Sequence, residues 1–205
     1  MASFTKYVWS LLLGNAAGNA SPIHAALIHF PATLYPIAFG SDLIGLALDR
    51  FPVTTLVQGL GARGLYALSY YATAAALVTT IPAALTGLAE YFAINKTRSP
   101  EAKSYAFWHG ALNFATGGIA LFNFLTKRKT IDYAPYNFNV FLSGVGFVIV
   151  FSSLYLGGHM VYKYGVGVRR MGTGVEPTPN PNSDLKTELN VPEILPKVSE
   201  KAKKI

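Results

Sequence analysis

The distribution of charged residues divides the chain into four long apolar stretches. The stretches without Asp, Glu, Lys or Arg contain 35, 26, 23 and 30 residues, and they lie between Lys6 and Asp42, Arg63 and Glu90, Lys103 and Lys127, and Asp132 and Lys163. A helix that crosses a bilayer needs about 20 consecutive, mostly apolar residues. Each helix of a soluble bundle would instead carry a charged face. The pattern therefore predicts an integral membrane protein in contact with the lipid bilayer.

Four membrane-spanning helices are predicted, over residues 22–48, 64–92, 101–126 and 136–163. Two of them begin at Ser-Pro dipeptides, where the Ser is a good N-cap and the Pro suits the first helical position. The loops between the spans are short, so consecutive helices are expected to be antiparallel neighbours. The predicted fold is therefore an all-α, up-down-up-down four-helix transmembrane bundle within residues 21–168.

Both ends of the chain differ from this domain. Residues 1–20 hold one Lys and a short apolar run, which predicts an amphipathic or irregular segment at the membrane interface. A weak, cleavable signal peptide is the alternative. Residues 169–205 form a Pro-rich polar tail that is expected to be extended or disordered. This tail is either a solvated end or a segment that docks on other subunits of a membrane complex or on anionic lipid.

Composition excludes several classes of function. Only 13% of the residues are charged, against about 25% in a typical soluble domain. The basic residues of the membrane domain flank the spans, so the net charge of +7 does not indicate a nucleic-acid-binding protein. The absence of Cys excludes disulfides, iron–sulfur clusters and covalently attached c-type haem. No catalytic motif occurs, so we predict a protein without catalytic residues that is not an enzyme by itself.

Charge also predicts an orientation. An even number of spans places both termini on one side of the membrane, here called side A. The basic residues that flank the spans on side A are Lys6, Lys96, Arg98, Lys103, Lys163, Arg169 and Arg170. Those on the opposite side B are Arg50, Arg63, Lys127, Arg128 and Lys129. Because cytoplasmic loops carry an excess of Lys and Arg, side A is predicted to be the positive-inside face.

The ionisable residues within the spans lie mostly on side A. They are His24 and His29 in the first span, Glu90 at the end of the second, His109 in the third and His159 in the fourth. Alternating helix directions bring all five to the same membrane level. Ionisable groups at this depth are costly and often functional, so this layer is the predicted site.

Helical spacing predicts the face of its helix on which each of these residues lies. His24 and His29 are five apart, about 140° around an ideal helix, so both face the bundle only if the helix bends, which Pro31 permits. His159 is predicted to face lipid headgroups or a neighbour, and its role in the site is left open. One face of the third span carries His109, Asn113, Thr116, Ala120 and Asn123. Asp42 points toward side B, where Arg63 or water is its predicted partner.

Three chemical uses of the layer are open. Two imidazoles from different helices can ligate a b-type haem, here His29 or His24 together with His109. Three imidazoles and a carboxylate suit zinc, copper or non-haem iron, and that set is His24, His29, His109 and Glu90. Asn113 and Thr86 are placed behind the ligands as hydrogen-bonding residues. The third use is a protonatable cluster, and a purely structural, hydrogen-bonded polar layer would have no chemical use.

Several of these residues belong to segments that resemble the DUF2231 family of small membrane proteins. The matching segments are HAALIHFP at 24–31, IPAALTGLAE at 81–90, His109 with Asn113, and LGGHMVYKYGVGV at 156–168. The resemblance implies a four-helix membrane fold. The family occurs fused or adjacent to Rieske and cytochrome c modules, which favours electron transport by analogy.

Two functions follow from these observations. The first is a b-haem or metal-binding subunit of a membrane redox system. The second is a non-catalytic structural or assembly subunit of a larger membrane complex, which uses its small-residue helix faces and its tail as contacts.

Overall fold

The fold is all-helical throughout the described part of the chain. A computed structural model describes residues 2–14, 23–51, 61–94 and 100–167, and no strand occurs among them. Within these ranges six α-helices follow one another, namely α1 (Ala2–Leu12), α2 (Ile23–Leu27), α3 (His29–Arg50), α4 (Ala62–Ala93), α5 (Pro100–Lys127) and α6 (Asn137–Tyr164), with a 3-10 turn at Ile131–Tyr133 before α6. The predicted tail and both N-cap Ser residues lie outside the described residues.

The helices agree with the sequence pattern to within two residues at each end. The first predicted span consists of α2 and α3, which are separated only at Ile28 and continue one another through the hydrogen bond from the Ala32 N–H to the Ile28 carbonyl. Pro31 lies just after this break and has no N–H to donate to the preceding turn. Ile28 itself keeps helical dihedral angles (φ −65°, ψ −20°), so α2 and α3 form one nearly continuous helix.

Three helical stretches in the described residues are long and apolar enough to cross a membrane. They are Ile23–Arg50, Ala62–Ala93 and Asn137–Tyr164. Helix α5 has the length but is more polar, because its inward face carries His109, Asn113, Asn123 and Lys127. Its outward face is still apolar, with Phe114 largely exposed.

Four helices enclose a common core. Helix α3 packs against α4 and α6, and α5 completes the ring by packing against α4 and α6. At the centre lies an apolar layer formed by Tyr35, Phe39, Ala76, Ala120 and Val150. The N-terminal α1 lies against α4, where the ring of Trp9 is 6.1 Å from that of Phe92.

The small and polar faces predicted from spacing are mostly buried. On α5, Thr116, Ala120 and Asn123 are buried, as predicted. On α6, Ser143 and Ser153 are buried together with Gly146. Side chains of this size allow membrane helices to approach closely.

Gly146 shows how closely α3 and α6 approach each other. A Cβ atom at this position would lie 2.7 Å from Cε2 of Phe39, which belongs to the apolar layer. The Phe39 ring is buried and cannot move aside without disturbing that layer. The glycine is therefore required by the close contact between the two helices.

Replacing Gly146 by Ala is expected to lower the free energy of unfolding by about 1–3 kcal/mol, the usual effect of overpacking a core. Thermal unfolding in detergent, followed by circular dichroism, measures the change. Gly158→Ala is the matched control, because nothing lies within 4 Å of a Cβ at Gly158 on the same helix. Equal unfolding temperatures for the two variants would show that the α3–α6 contact is loose.

Candidate functional site

His24 connects the start of the bundle to α4. Its Nδ1 lies 3.0 Å from the carbonyl oxygen of Ala83 and 3.2 Å from Oγ1 of Thr86. A carbonyl oxygen only accepts, so Nδ1 carries the proton and Nε2 has the free lone pair. Gly87 makes room for the ring, since a Cβ there would lie 2.8 Å from Cε1 of His24.

His109 makes the equivalent contact between α5 and α6. Its Nδ1 donates to the carbonyl oxygen of Ser153 at 2.8 Å, and the Ser153 hydroxyl lies 3.0 Å away. A Cβ at Gly157 would lie 3.1 Å from Cε1 of His109. In both contacts the imidazole donates to a backbone carbonyl and lies over the glycine four residues later in the same helix. The contact of His24 with α4 and that of His109 with α6 are therefore built in the same way.

A hydrogen bond within α5 completes the contacts of His109. Nε2 of His109 accepts a hydrogen bond from Nδ2 of Asn113 at 3.1 Å, and Asn113 also donates to the His109 carbonyl. The structure thus pairs His24 with Thr86 and His109 with Asn113, each as a separate contact.

His29 does not join them. Its side chain is exposed, and its Nδ1 lies 3.3 Å from the Ala26 carbonyl in the preceding turn. Glu90 is buried near the end of α4, one turn after Thr86. Within the described ranges, no three His, Asp or Glu side chains are grouped as metal ligands. The set of three imidazoles and Glu90 is therefore not assembled here, because His24 and His29, five residues apart, lie on different sides of the first span.

His159 lies apart from the pair, among aromatic rings. The rings of Tyr105, Tyr155 and Tyr164 are 4.8, 6.1 and 6.0 Å from its imidazole. Its Nε2 is buried without a hydrogen-bond partner among the described residues. Among the described residues, its ring therefore lies against side chains of its own helix and of the neighbouring α5.

A second polar cluster lies at the other end of the bundle. Nζ of Lys127 donates to Oδ1 of Asp42 at 2.5 Å, and both side chains are only 1% exposed. Lys127 also donates to Oγ of Ser69, and Ser143 donates to Oδ2 of Asp42 at 2.8 Å. Four helices therefore meet at one ion pair. Eighteen residues, about 27 Å of helix, separate Asp42 from His24.

Amide side chains extend this cluster. Nδ2 of Asn139 donates to Oδ1 of Asn123 at 2.9 Å, and Nδ2 of Asn123 donates to Oγ of Ser143. The Asn139 amide also donates to Thr126, so each polar group of the cluster has at least one partner. Buried polar groups are stable when they are paired in this way.

The predicted pairing of Asp42 with Arg63 was wrong. Arg63 is exposed and lies 3.5 Å from Asp132 instead. Lys127, assigned from sequence to the charges that flank side B, is buried and therefore does not count toward orientation. A signal was present: Lys127 follows Asn123 by four residues and so continues the polar face of α5.

Comparison with known proteins gives one match. A family model described as a predicted membrane protein (DUF2231) matches residues 20–170, which confirms the resemblance seen in the motifs. No curated protein and no solved structure matches the chain.

Proposed function

We propose that this chain, which belongs to the DUF2231 family of predicted membrane proteins, is a four-span subunit of a membrane redox system that holds a b-type haem between His24 and His109. The observation that carries the proposal is the pair of imidazoles, each held through its Nδ1–H by a backbone carbonyl of a neighbouring helix. Metal-ligating His residues almost always donate their other ring N–H to a carbonyl, carboxylate or water.

The contacts support α5 as a membrane span in addition to the three more apolar helices. His24 at the start of the first span meets the second half of α4, while Asp42 near its end meets Ser69 in the first half through the shared Lys127. His109 and Lys127 make the corresponding contacts at the two ends of α5. These pairings suit an up-down-up-down bundle with both termini on side A, which we propose as the positive-inside face.

The number of ligands favours haem over a bare ion. Structural zinc takes four protein ligands and catalytic zinc takes three, whereas a haem iron needs only axial ligands because the macrocycle fills its other positions. Two imidazoles from two helices suffice for that. When bound, the haem would supply one-electron chemistry.

The two imidazoles would hold such a group only after one rearrangement. The lone pair of Nε2 on His24 is free of contacts among the described residues, as an axial ligand requires. On His109 the same nitrogen is covered by Asn113, so this amide must rotate away before Nε2 can bind a metal. Asn113 can keep its second hydrogen bond, to the His109 carbonyl.

Visible absorption of the purified full chain tests the proposal. Protein from cells supplied with a haem precursor is expected to show a Soret band that shifts on reduction, with matching iron in metal analysis. A helical, monodisperse preparation without colour or metal would overturn the haem assignment.

A structural role is the second candidate, and one observation favours it. In the absence of a cofactor, both ring nitrogens of His109 are already hydrogen-bonded, to Ser153 and Asn113. Such a saturated contact stabilises a helix pair without further function. In that case the chain is an assembly subunit that contacts a membrane complex through its tail.

Deleting residues 171–205 tests the assembly role. The size of the native complex in mild detergent is expected to fall if the tail holds a partner. An unchanged complex would argue against this candidate and leave the haem test unaffected.

A further inference from the structure

We propose that a groove between α3 and α6 binds an acyl chain of an anionic phospholipid, with Arg50 contacting the lipid phosphate. The groove opens between α3 and α6, and none of the residues that contact His24 or His109 lines it. It is independent of the haem proposal.

The lining of this α3–α6 groove is almost entirely apolar. Its walls include Leu43 and Leu46 on α3, and Val140, Phe141, Gly144 and Val148 on α6. Gly144 deepens it, because the nearest atom to a Cβ placed there is Cδ2 of Leu43, at 3.8 Å. Apolar side chains around an open trough offer van der Waals contact to a hydrocarbon chain and no polar group to another ligand.

The length of the groove matches one leaflet. Its α6 wall extends from Asn137 to Ile149, which is about 18 Å at 1.5 Å per residue. Half of a hydrocarbon core is roughly 15 Å thick. A transmembrane helix from a partner would need a contact face along the whole bilayer, whereas a single acyl chain fills one leaflet.

A cation lies at the open end of the groove. Leu43, Leu46 and Arg50 follow the i, i+3, i+7 spacing, so they share one face of α3, with Arg50 beyond the apolar wall. Arg50 is exposed, and no ion pair to it is found within the described ranges. Its neighbour Asp49 is held by the Tyr66 hydroxyl at 2.5 Å. Charge complementarity thus favours an anionic headgroup over a zwitterionic one.

Lipid competition tests the proposal. The full chain is placed in nanodiscs that contain a trace of spin-labelled phosphatidylglycerol or phosphatidylcholine, and the motionally restricted fraction of each is measured. We expect about a fivefold preference for phosphatidylglycerol, which corresponds to about 1 kcal/mol per basic residue near an anionic lipid. Arg50→Gln is expected to abolish the preference, and Gly144→Leu to release both lipids from the groove.

Two matched control variants distinguish binding at this groove from general effects of losing a cation or enlarging a glycine. Arg63→Gln removes another exposed cation at the same end of the bundle, and Gly158→Leu enlarges a glycine of α6 outside the groove. Both are expected to keep the preference. Equal restriction of the two lipids, or a preference that survives Arg50→Gln, would overturn the headgroup contact. A dimer that Gly144→Leu dissociates would show instead that a second copy of the chain fills the groove.

Discussion

Replacing Lys127 by Met is expected to lower the free energy of unfolding by about 3–5 kcal/mol, the largest stability effect that the structure predicts. The change leaves the Asp42 carboxylate buried without its cation, with Ser143 as its one remaining hydrogen-bond donor among the described residues. An uncompensated charge of this kind costs several kcal/mol in a low dielectric. Reversible unfolding in mixed micelles with increasing denaturing detergent gives the measurement.

The double variant Asp42→Leu with Lys127→Met is the informative control. It removes both charges, and Ser69 and Ser143 retain helix carbonyls as possible partners, so most of the lost stability is expected to return. Arg63→Met provides a second control, because its ion pair with Asp132 joins side chains that are 87% and 47% exposed. Exposed pairs contribute about 0–1 kcal/mol. A double variant as unstable as Lys127→Met alone would contradict the ion-pair explanation.

His109→Ala is expected to abolish haem binding completely, while His29→Ala leaves it unchanged. The two residues are of the same type and lie near the same end of the bundle, but only His109 has its Nδ1 held by a neighbouring helix. His24→Ala should act like His109→Ala, because both imidazoles would hold the haem. The Soret band and its shift on reduction give the measurement, with helicity as a check on folding.

Haem affinity of the Asn113→Ala variant distinguishes haem binding from a purely structural role. Removing the amide exposes Nε2 of His109, so haem affinity should rise even if stability falls slightly. If haem is retained equally by His29→Ala and His109→Ala, the assignment of axial ligands is wrong. If Asn113→Ala binds less haem than the parent, the amide supports the cofactor instead of blocking it.

The helix bounds were predictable because they depend on local sequence. Runs without charge and Pro at helix starts define where each helix begins and ends, and the observed bounds fall within two residues of the prediction. The burial of Thr116 and Asn123 on one face of α5 followed from spacing alone. Periodicity is a property of one helix, and it needs no knowledge of its neighbours.

The site was predictable only in part. Sequence placed His24, His29 and His109 at one level, but which of the first two faces inward depends on how the first span packs against α4, which spacing does not show. The partner of Asp42 depends on how far α5 is shifted along α3, which is a tertiary property. Arg63 was nearer in the chain, yet Lys127, 85 residues away, forms the ion pair.

The apolar layer around Tyr35, Phe39 and Val150 separates the two polar clusters. The Tyr35 hydroxyl is paired with Thr80, and Thr116 bonds within its own helix, so neither hydroxyl extends a polar path toward Asp42. In the described part of the bundle, this apolar layer therefore separates the contacts of His24 and His109 from the Asp42–Lys127 ion pair. Under the proposed redox function, an electron or proton that reached the two His residues would leave through the face by which it entered, and its donor and acceptor would dock on that same face.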